Sequence, residues 1–132
     1  MKNVEIVKAM YDAAGKGDFP AFLGAMDAGI VWNEAENFPY ADHNPYIGPQ
    51  AVAEGVFGRI AADWKYWTLS DHEFHDTKDD MIIVTGRYNA KNNATGKIIK
   101  AQFTHMWRLK NEKATTFQQY SDTYQVNKAM VN

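Results

Sequence analysis

The chain has 132 residues and a formal net charge of -2, and its 45% hydrophobic and 23% charged residues are typical of one folded domain over residues 1–132. The balanced charge gives no reason to bind nucleic acid, and the lack of cysteine excludes disulfides, thiolate metal sites and a cysteine nucleophile. No stretch approaches the roughly 20 apolar residues of a membrane span, and the charged N-terminal segment is unlike a signal peptide, so we expect a cytoplasmic protein without a membrane partner.

Two helices are predicted at the start of the chain. Apolar residues recur at helical spacing over residues 4–14, including Met10 and Tyr11, and glycines follow directly. Asp18 is a suitable N-cap for a second helix with Pro20 in its first turn. We expect this second helix to bury Met26 and to end at Gly29.

A short strand over residues 30–35 is predicted next, followed by a long loop over residues 36–49. Long loops in compact domains are often functional, so we expect a cover over a binding site here. The cover would be formed by three aromatic residues of the loop: Phe38, Tyr40 and Tyr46. Pro49 then begins a third helix, in which Gly55 and Gly58 either weaken the helix or permit close packing.

From Trp67 onward the hydrophobic period changes from helical to alternating, which predicts four strands. The predicted ranges are Trp67–Thr77, Met81–Lys91, Gly96–Leu109 and Lys113–Thr123. Turns this short make consecutive strands antiparallel. Because helices and strands are segregated along the chain, the fold class is α+β, with three N-terminal helices on a mainly antiparallel sheet.

The last two strands carry the most informative faces. In the third strand one face is apolar except for His105; its members are Ala101, Phe103, His105, Trp107 and Leu109. In the fourth, Gln118, Tyr120 and Asp122 lie opposite Phe117. We interpret this polar stripe as the lining of a cavity, which the 14% aromatic content makes suitable for an apolar ligand.

Six short motifs occur in an informative order: Val7–Tyr11, Lys16–Phe19, Ile30–Trp32, Tyr46–Val52, Thr104–Leu109 and Gln119–Thr123. In this order they resemble the nuclear transport factor 2-like fold, and within it the SnoaL-like and ketosteroid-isomerase-related branch. The resemblance implies a cone-shaped α+β roll around a pocket, commonly in a homodimer. Its members include isomerases, cyclases and epoxide hydrolases, as well as binders without activity, so the fold does not decide the function.

The resemblance also assigns positions in the site. Glu34 falls on the position of the isomerases' carboxylate base, and His105 on that of a protonated aspartate that holds an enolate oxygen. The position of their oxyanion-binding tyrosine falls on Met10, with Tyr11 one residue away. Two of three positions therefore depart from the isomerase pattern. In the SnoaL-like cyclases an aspartate of the last strand is the acid or base, and Asp122 matches it.

We therefore predict Glu34, His105 and Asp122 as catalytic residues, with a bond from Asp122 orienting His105. The predicted ligand-binding residues are Tyr11, Trp32, Phe103, Trp107, Gln118 and Tyr120. The expected function is isomerase, lyase or cyclase chemistry on a small apolar carbonyl compound, with no cofactor and no metal.

Several alternatives remain open. The pocket would also serve a binding module without turnover. A dimerisation domain would use the sheet face with Thr104, Met106, Thr115 and Phe117. Epoxide hydrolysis would use Arg87 with Asp122, and a weaker metal-site hypothesis combines His43 with Glu36 and Asp42. His72 and His75 fall on opposite faces of their predicted strand, which argues against a metal site formed by this pair.

Overall fold

The computed structural model describes residues 1–132, which form one six-stranded sheet, five α-helical segments and a 3₁₀ turn (Ala41–His43). The strands are β1 (Met26–Asn33), β2 (Tyr46–Ile47), β3 (Trp64–Asp76), β4 (Met81–Asn92), β5 (Ile98–Lys110) and β6 (Lys113–Ser121). Their order across the sheet is β2-β1-β6-β5-β4-β3, and only the β1–β6 pair is parallel.

Helices cover the inner face of this sheet. They are α1 (Asn3–Gly15), α2 (Phe19–Gly24), α3 (Pro49–Val52), α4 (Gly58–Asp63) and α5 (Thr123–Ala129), and a π-helical turn (Ala53–Phe57) joins α3 to α4 in one continuous helix. The predicted fold class is confirmed: α+β, with three N-terminal helical segments packed on a curved, mainly antiparallel sheet.

The second helix is shorter than predicted. The Asp18 side chain caps it by accepting the Ala21 N–H at 3.2 Å, as expected. It ends at Gly24 rather than at Gly29, and Met26 begins β1 instead of joining the helix. The cause is long-range pairing, because the Ala114 N–H of β6 donates to the Ala25 carbonyl at 2.9 Å and draws the chain into the sheet.

The loop over residues 36–49 is not the aromatic cover that we expected. Its Phe38, Tyr40 and Tyr46 are only 3–4% exposed, and Tyr46 lies in β2, which pairs with β1. The Tyr46 hydroxyl donates to the Tyr40 carbonyl at 2.6 Å, and its ring occupies the space beside Gly55 where a Cβ would lie. These three side chains therefore belong to the hydrophobic core, and of the two roles expected of Gly55 the structure shows close packing.

The four-stranded antiparallel meander is confirmed, but its last strand stops before Asp122. The Asp122 carboxylate caps the unpredicted helix α5 by accepting the Gln125 N–H at 3.1 Å. The Gln125 side chain in turn accepts the Lys100 N–H of β5 at 2.6 Å. Helix α5 therefore lies beside β5 where β6 has ended.

The outer face of the sheet carries three of the four residues predicted for a dimer contact. Thr104, Met106 and Thr115 are half-buried there, whereas Phe117 is 3% exposed and faces inward. Phe117 is therefore removed from that predicted contact because the alternation of β6 turns it toward the core. No helix of the chain has the length and apolar character needed to cross a membrane.

Gly86 in β4 predicts a measurable packing effect. A Cβ at this position would lie 2.7 Å from the Phe103 ring and 2.9 Å from the Ser70 carbonyl oxygen, which is backbone. We expect Gly86→Ala to lower the free energy of unfolding by about 1–3 kcal/mol in urea denaturation. Gly24→Ala is the matched control, because nothing lies within 4 Å of its Cβ. Equal stability of the two variants would contradict the close contact.

Candidate functional site

A cavity of about 750 Å³ lies between the inner face of the sheet and the helices. Of its 26 lining residues 18 are hydrophobic, and most of the large ones are aromatic. The lining residues that solvent reaches, among them Phe19, Lys65 and Tyr66, mark its mouth. Such a volume and lining suit a small apolar ligand.

Two predicted ligand-binding residues form one wall. Trp32 of β1 stacks on Phe117 with ring centroids 3.7 Å apart, and Trp107 of β5 meets the edge of Trp32 at 5.6 Å. Both tryptophans line the cavity as predicted. Phe103 does not line the cavity. Its ring stacks on the His105 ring with centroids 4.1 Å apart.

Glu34 follows β1 and is only 3% exposed. Its backbone is held at both polar groups by the Asn44 side chain, at 3.0 Å and 2.9 Å. Its Oε2 accepts the Trp32 indole N–H at 3.0 Å, whereas its Oε1 is buried without any hydrogen-bond partner. Burial raises the pKa of Glu34 to about 7, against the opposing effects of the Trp32 bond and the Arg59 charge.

His105 lies between two tyrosine hydroxyls. Its Nδ1 is 2.5 Å from Tyr11 Oη, and its Nε2 is 2.6 Å from Tyr88 Oη. Burial lowers the pKa of His105 to about 3, and the charge of His72 at the mouth adds to this effect. The imidazole is therefore neutral at pH 7, and neither of its nitrogens is free for a ligand.

Each tyrosine hydroxyl oxygen also accepts a hydrogen bond from the N–H group of another side chain. The Trp107 indole donates to Tyr11 Oη at 2.8 Å, and the Gln119 amide donates to Tyr88 Oη at 2.8 Å. A second hydrogen bond fixes the orientation of the Gln119 amide, because its Oε1 accepts the Ala35 N–H at 3.0 Å. Burial raises the pKa of both tyrosines above the usual range, so both hydroxyls keep their protons.

The structure brings together five of the predicted site residues as cavity lining: Tyr11, Trp32, Glu34, His105 and Trp107. Sequence reasoning missed Tyr88 and Gln119. Strand alternation held a signal for both, because Tyr88 shares the inner face of β4 with Val84 and Gln119 shares that of β6 with Phe117.

Besides Phe103, three predicted site residues lie outside the cavity lining. Gln118 and Tyr120 point to the outer face of β6, where Tyr120 is 53% exposed, and the predicted polar lining is therefore wrong. The Asp122 carboxylate bonds to Gln125 as the cap of α5 and makes no contact with His105. The physical reason is that the apolar side of β6, with Phe117, is the one that the core requires.

The residues of the other hypotheses are also dispersed. No group of three or more potential metal ligands is assembled, and Asp42, beside His43 at 3.6 Å, is held by Arg59 at 2.6 Å. Arg87 and Asp122 line a shallow polar groove of about 630 Å³ on the outer face of the sheet, and they form no ion pair.

The cavity thus combines an unpartnered carboxylate oxygen with phenol hydroxyls inside an apolar lining. A carboxylate whose pKa lies near neutrality is suited to remove a proton from a weakly acidic group. A phenol O–H in the same apolar cavity is suited to stabilise negative charge that develops on an oxygen. Both groups are supplied by the chain itself.

Comparisons with known proteins agree with this architecture. The family model of the SnoaL-like domain matches residues 7–117. An NTF2-like protein from Burkholderia thailandensis is 30% identical, with a TM-score of 0.94 over 100% of this chain and 99% of its own. No curated protein matches the chain.

Two more distant solved structures show the same fold. TerC, co-crystallised with polyporic acid, is 20% identical with a TM-score of 0.85 over 98% of both chains. A Pseudomonas putida protein, proposed to be a polyketide cyclase, is 14% identical with a TM-score of 0.84 over 99% of both chains.

Proposed function

The chain belongs to the SnoaL-like family, and from this premise we propose that it performs acid–base chemistry on a small apolar carbonyl compound, as an isomerase, lyase or cyclase that needs no cofactor. The observation that carries the proposal is the orphan Oε1 of Glu34, buried in an aromatic cavity with a pKa of about 7. A carboxylate oxygen without a hydrogen-bond partner destabilises a protein interior. Such unsatisfied groups with shifted pKa values are typical of functional sites.

In the proposed step Glu34 Oε1 takes a proton from the carbon beside the carbonyl group. The electron pair of the broken C–H bond moves onto the carbonyl oxygen, which becomes an enolate oxygen. The Tyr11 hydroxyl donates a hydrogen bond to that oxygen. An isomerase would return the proton from Glu34 to another carbon. In a cyclase the enolate carbon would attack a second carbonyl group, whose C=O π bond breaks as its oxygen takes the proton from Glu34.

Two structural neighbours are consistent with this use of the cavity. One is the Pseudomonas putida protein proposed to be a polyketide cyclase, and the other is TerC, which was co-crystallised with polyporic acid. Their identity to this chain is 14% and 20%, so they support the choice of ligand class only through the shared fold.

Proton exchange at an activated carbon tests the proposal. The protein is incubated with 2-tetralone in D₂O, and the loss of the α-proton signal is followed by NMR against buffer alone. We expect exchange faster than in buffer. If 2-tetralone and related ketones raise the melting temperature without any exchange, the chain is a binder without turnover, and the catalytic proposal fails.

Tyr11→Phe should reduce this exchange while it preserves the ring contacts. A hydrogen bond to a charged oxygen contributes about 1.5–3 kcal/mol, so we expect a loss of kcat/KM of about 10- to 150-fold. Tyr120→Phe is the control, because that hydroxyl lies on the exposed outer face. Equal rates in the two variants would remove Tyr11 from the proposed mechanism.

A further inference from the structure

The two tyrosines compete for one ring proton. A neutral imidazole has one N–H donor and one bare acceptor nitrogen. Since Tyr11 Oη and Tyr88 Oη occupy its two nitrogens at 2.5 Å and 2.6 Å, one hydroxyl must donate to His105 and the other must accept from it. The two hydroxyls are therefore never equivalent.

The N–H groups of Trp107 and Gln119 leave only one hydroxyl proton free. Each hydroxyl oxygen already accepts one N–H, from Trp107 or from Gln119. The hydroxyl that also accepts the His105 N–H has both acceptor sites filled, and its own O–H proton is left free. The other hydroxyl uses its proton on His105. At any moment one hydroxyl proton, and no more than one, is available to a cavity ligand.

We infer that His105 is a positioning residue whose tautomer selects the tyrosine that donates to the ligand, and that a bound oxygen acceptor selects the Nδ1–H form, which frees Tyr11. The inference rests on the proposed function and specifies the donor of that site. It also limits the ligand, because a compound that needs hydrogen bonds from both tyrosines at once cannot be satisfied. A single carbonyl or enolate oxygen can be.

Tyr11 is the better placed of the two donors. It is half-buried and extends from α1 near the mouth, where His72 contacts its ring. Tyr88 is 3% exposed, with Trp67 and Phe103 packed against its ring at 4.8 Å and 4.6 Å. A ligand that enters the cavity therefore reaches the Tyr11 hydroxyl with less displacement of the surrounding rings.

Nitrogen-15 NMR of the histidine rings reads the tautomer directly, because protonated and bare ring nitrogens resonate at well-separated frequencies. The probe is 2-naphthol, whose oxygen resembles an enol oxygen, and naphthalene is the control ligand without oxygen. Single His→Gln variants at His43, His72 and His75 assign the exposed histidines, and the remaining signals belong to His105. We expect protonated Nδ1 and bare Nε2 in the 2-naphthol complex.

Two phenylalanine variants test the competition without a ligand. A buried N–H without a partner is rarer and less favourable than a bare acceptor. In Tyr88→Phe the ring proton should therefore move to Nδ1, where Tyr11 accepts it. In Tyr11→Phe it should move to Nε2, where Tyr88 accepts it. A purely structural role of His105 predicts no such opposite response.

The outcomes separate this inference from the proposed function. Protonated Nε2 or a doubly protonated ring in the 2-naphthol complex overturns the inference, as does one common tautomer in both variants. Exchange of 2-tetralone with such a result would leave the proposed function standing. Opposite tautomers in the two variants without any exchange would support the donor selection in a protein that binds and does not catalyse.

Discussion

Replacing Glu34 by Gln should reduce the exchange of 2-tetralone by about 10²- to 10⁴-fold, the usual contribution of a general base. Gln retains the shape of the side chain, and its amide oxygen can still accept the Trp32 indole N–H that Glu34 Oε2 accepts at 3.0 Å. What it removes is the basic oxygen. The measurement is kcat/KM, obtained from the NMR exchange rates in D₂O for the wild-type protein and the variant.

The wild-type rate should also depend on pH in one direction. The base must be ionised, and burial raises the pKa of Glu34 to about 7. The rate should therefore rise about tenfold per pH unit below pH 7 and level off above it. Glu36→Gln is the matched control, because Glu36 is an exposed carboxylate two residues away. A flat profile, or equal losses in the two variants, would show that another group removes the proton.

The fold was accessible from the sequence because its signals are local and repeated. The alternation over β4 and β5 places apolar side chains on one face for more than ten residues, and the structure preserves both strands nearly as predicted. One long-range contact and one local cap moved the boundaries. Pairing with β6 begins β1 at Met26, and the capping carboxylate of Asp122 ends β6 early.

The site was harder to predict because small differences of phase decide which side chain enters the cavity. In a helix, Met10 and Tyr11 point about 100° apart, so a resemblance counted to one residue cannot distinguish them. The structure places Met10 in the core at 2% exposure and Tyr11 on the cavity. In β6 the alternation was correct, but the polar face was chosen as the lining instead of the face with Phe117.

The hydrogen-bonded group around His105 was beyond the sequence for another reason. Tyr11, Tyr88, His105 and Gln119 come from α1, β4, β5 and β6, which no local pattern brings together. The β4–β5–β6 registers bring the three strand residues together, with His105 opposite Gln119 and Tyr88 opposite Ala101, and the packing of α1 adds Tyr11. A resemblance can transfer the position of His105, but it does not say which side chains of the other elements bond to its ring.

The same orphan oxygen that would act as a base should destabilise the fold, and Glu34→Gln should therefore be more stable than the wild-type protein at pH 8. The pKa of Glu34 is about 7 in the folded protein against 4.5 for an ordinary glutamate. Between these values the unfolded chain has lost the proton that the folded chain retains. Raising the pH across this window therefore lowers the free energy of unfolding.

The expected size follows from the difference in pKa. Each pKa unit corresponds to about 1.4 kcal/mol, so ionising buried Glu34 lowers the stability by about 3 kcal/mol at pH 8. Gln resembles the protonated form and avoids this loss. Urea denaturation should show similar stabilities for wild type and Glu34→Gln at pH 5, and a difference of about 3 kcal/mol in favour of the variant at pH 8.

The exposed neighbour again provides the control. Glu36→Gln should leave the pH dependence of stability unchanged, because Glu36 is exposed to solvent and its replacement removes no buried carboxyl group. If Glu34→Gln follows the wild-type curve at both pH values, the carboxyl group of Glu34 is not held in the apolar environment that the proposed base requires. A gain in stability at pH 8 together with a loss of exchange would show that one buried oxygen causes both effects.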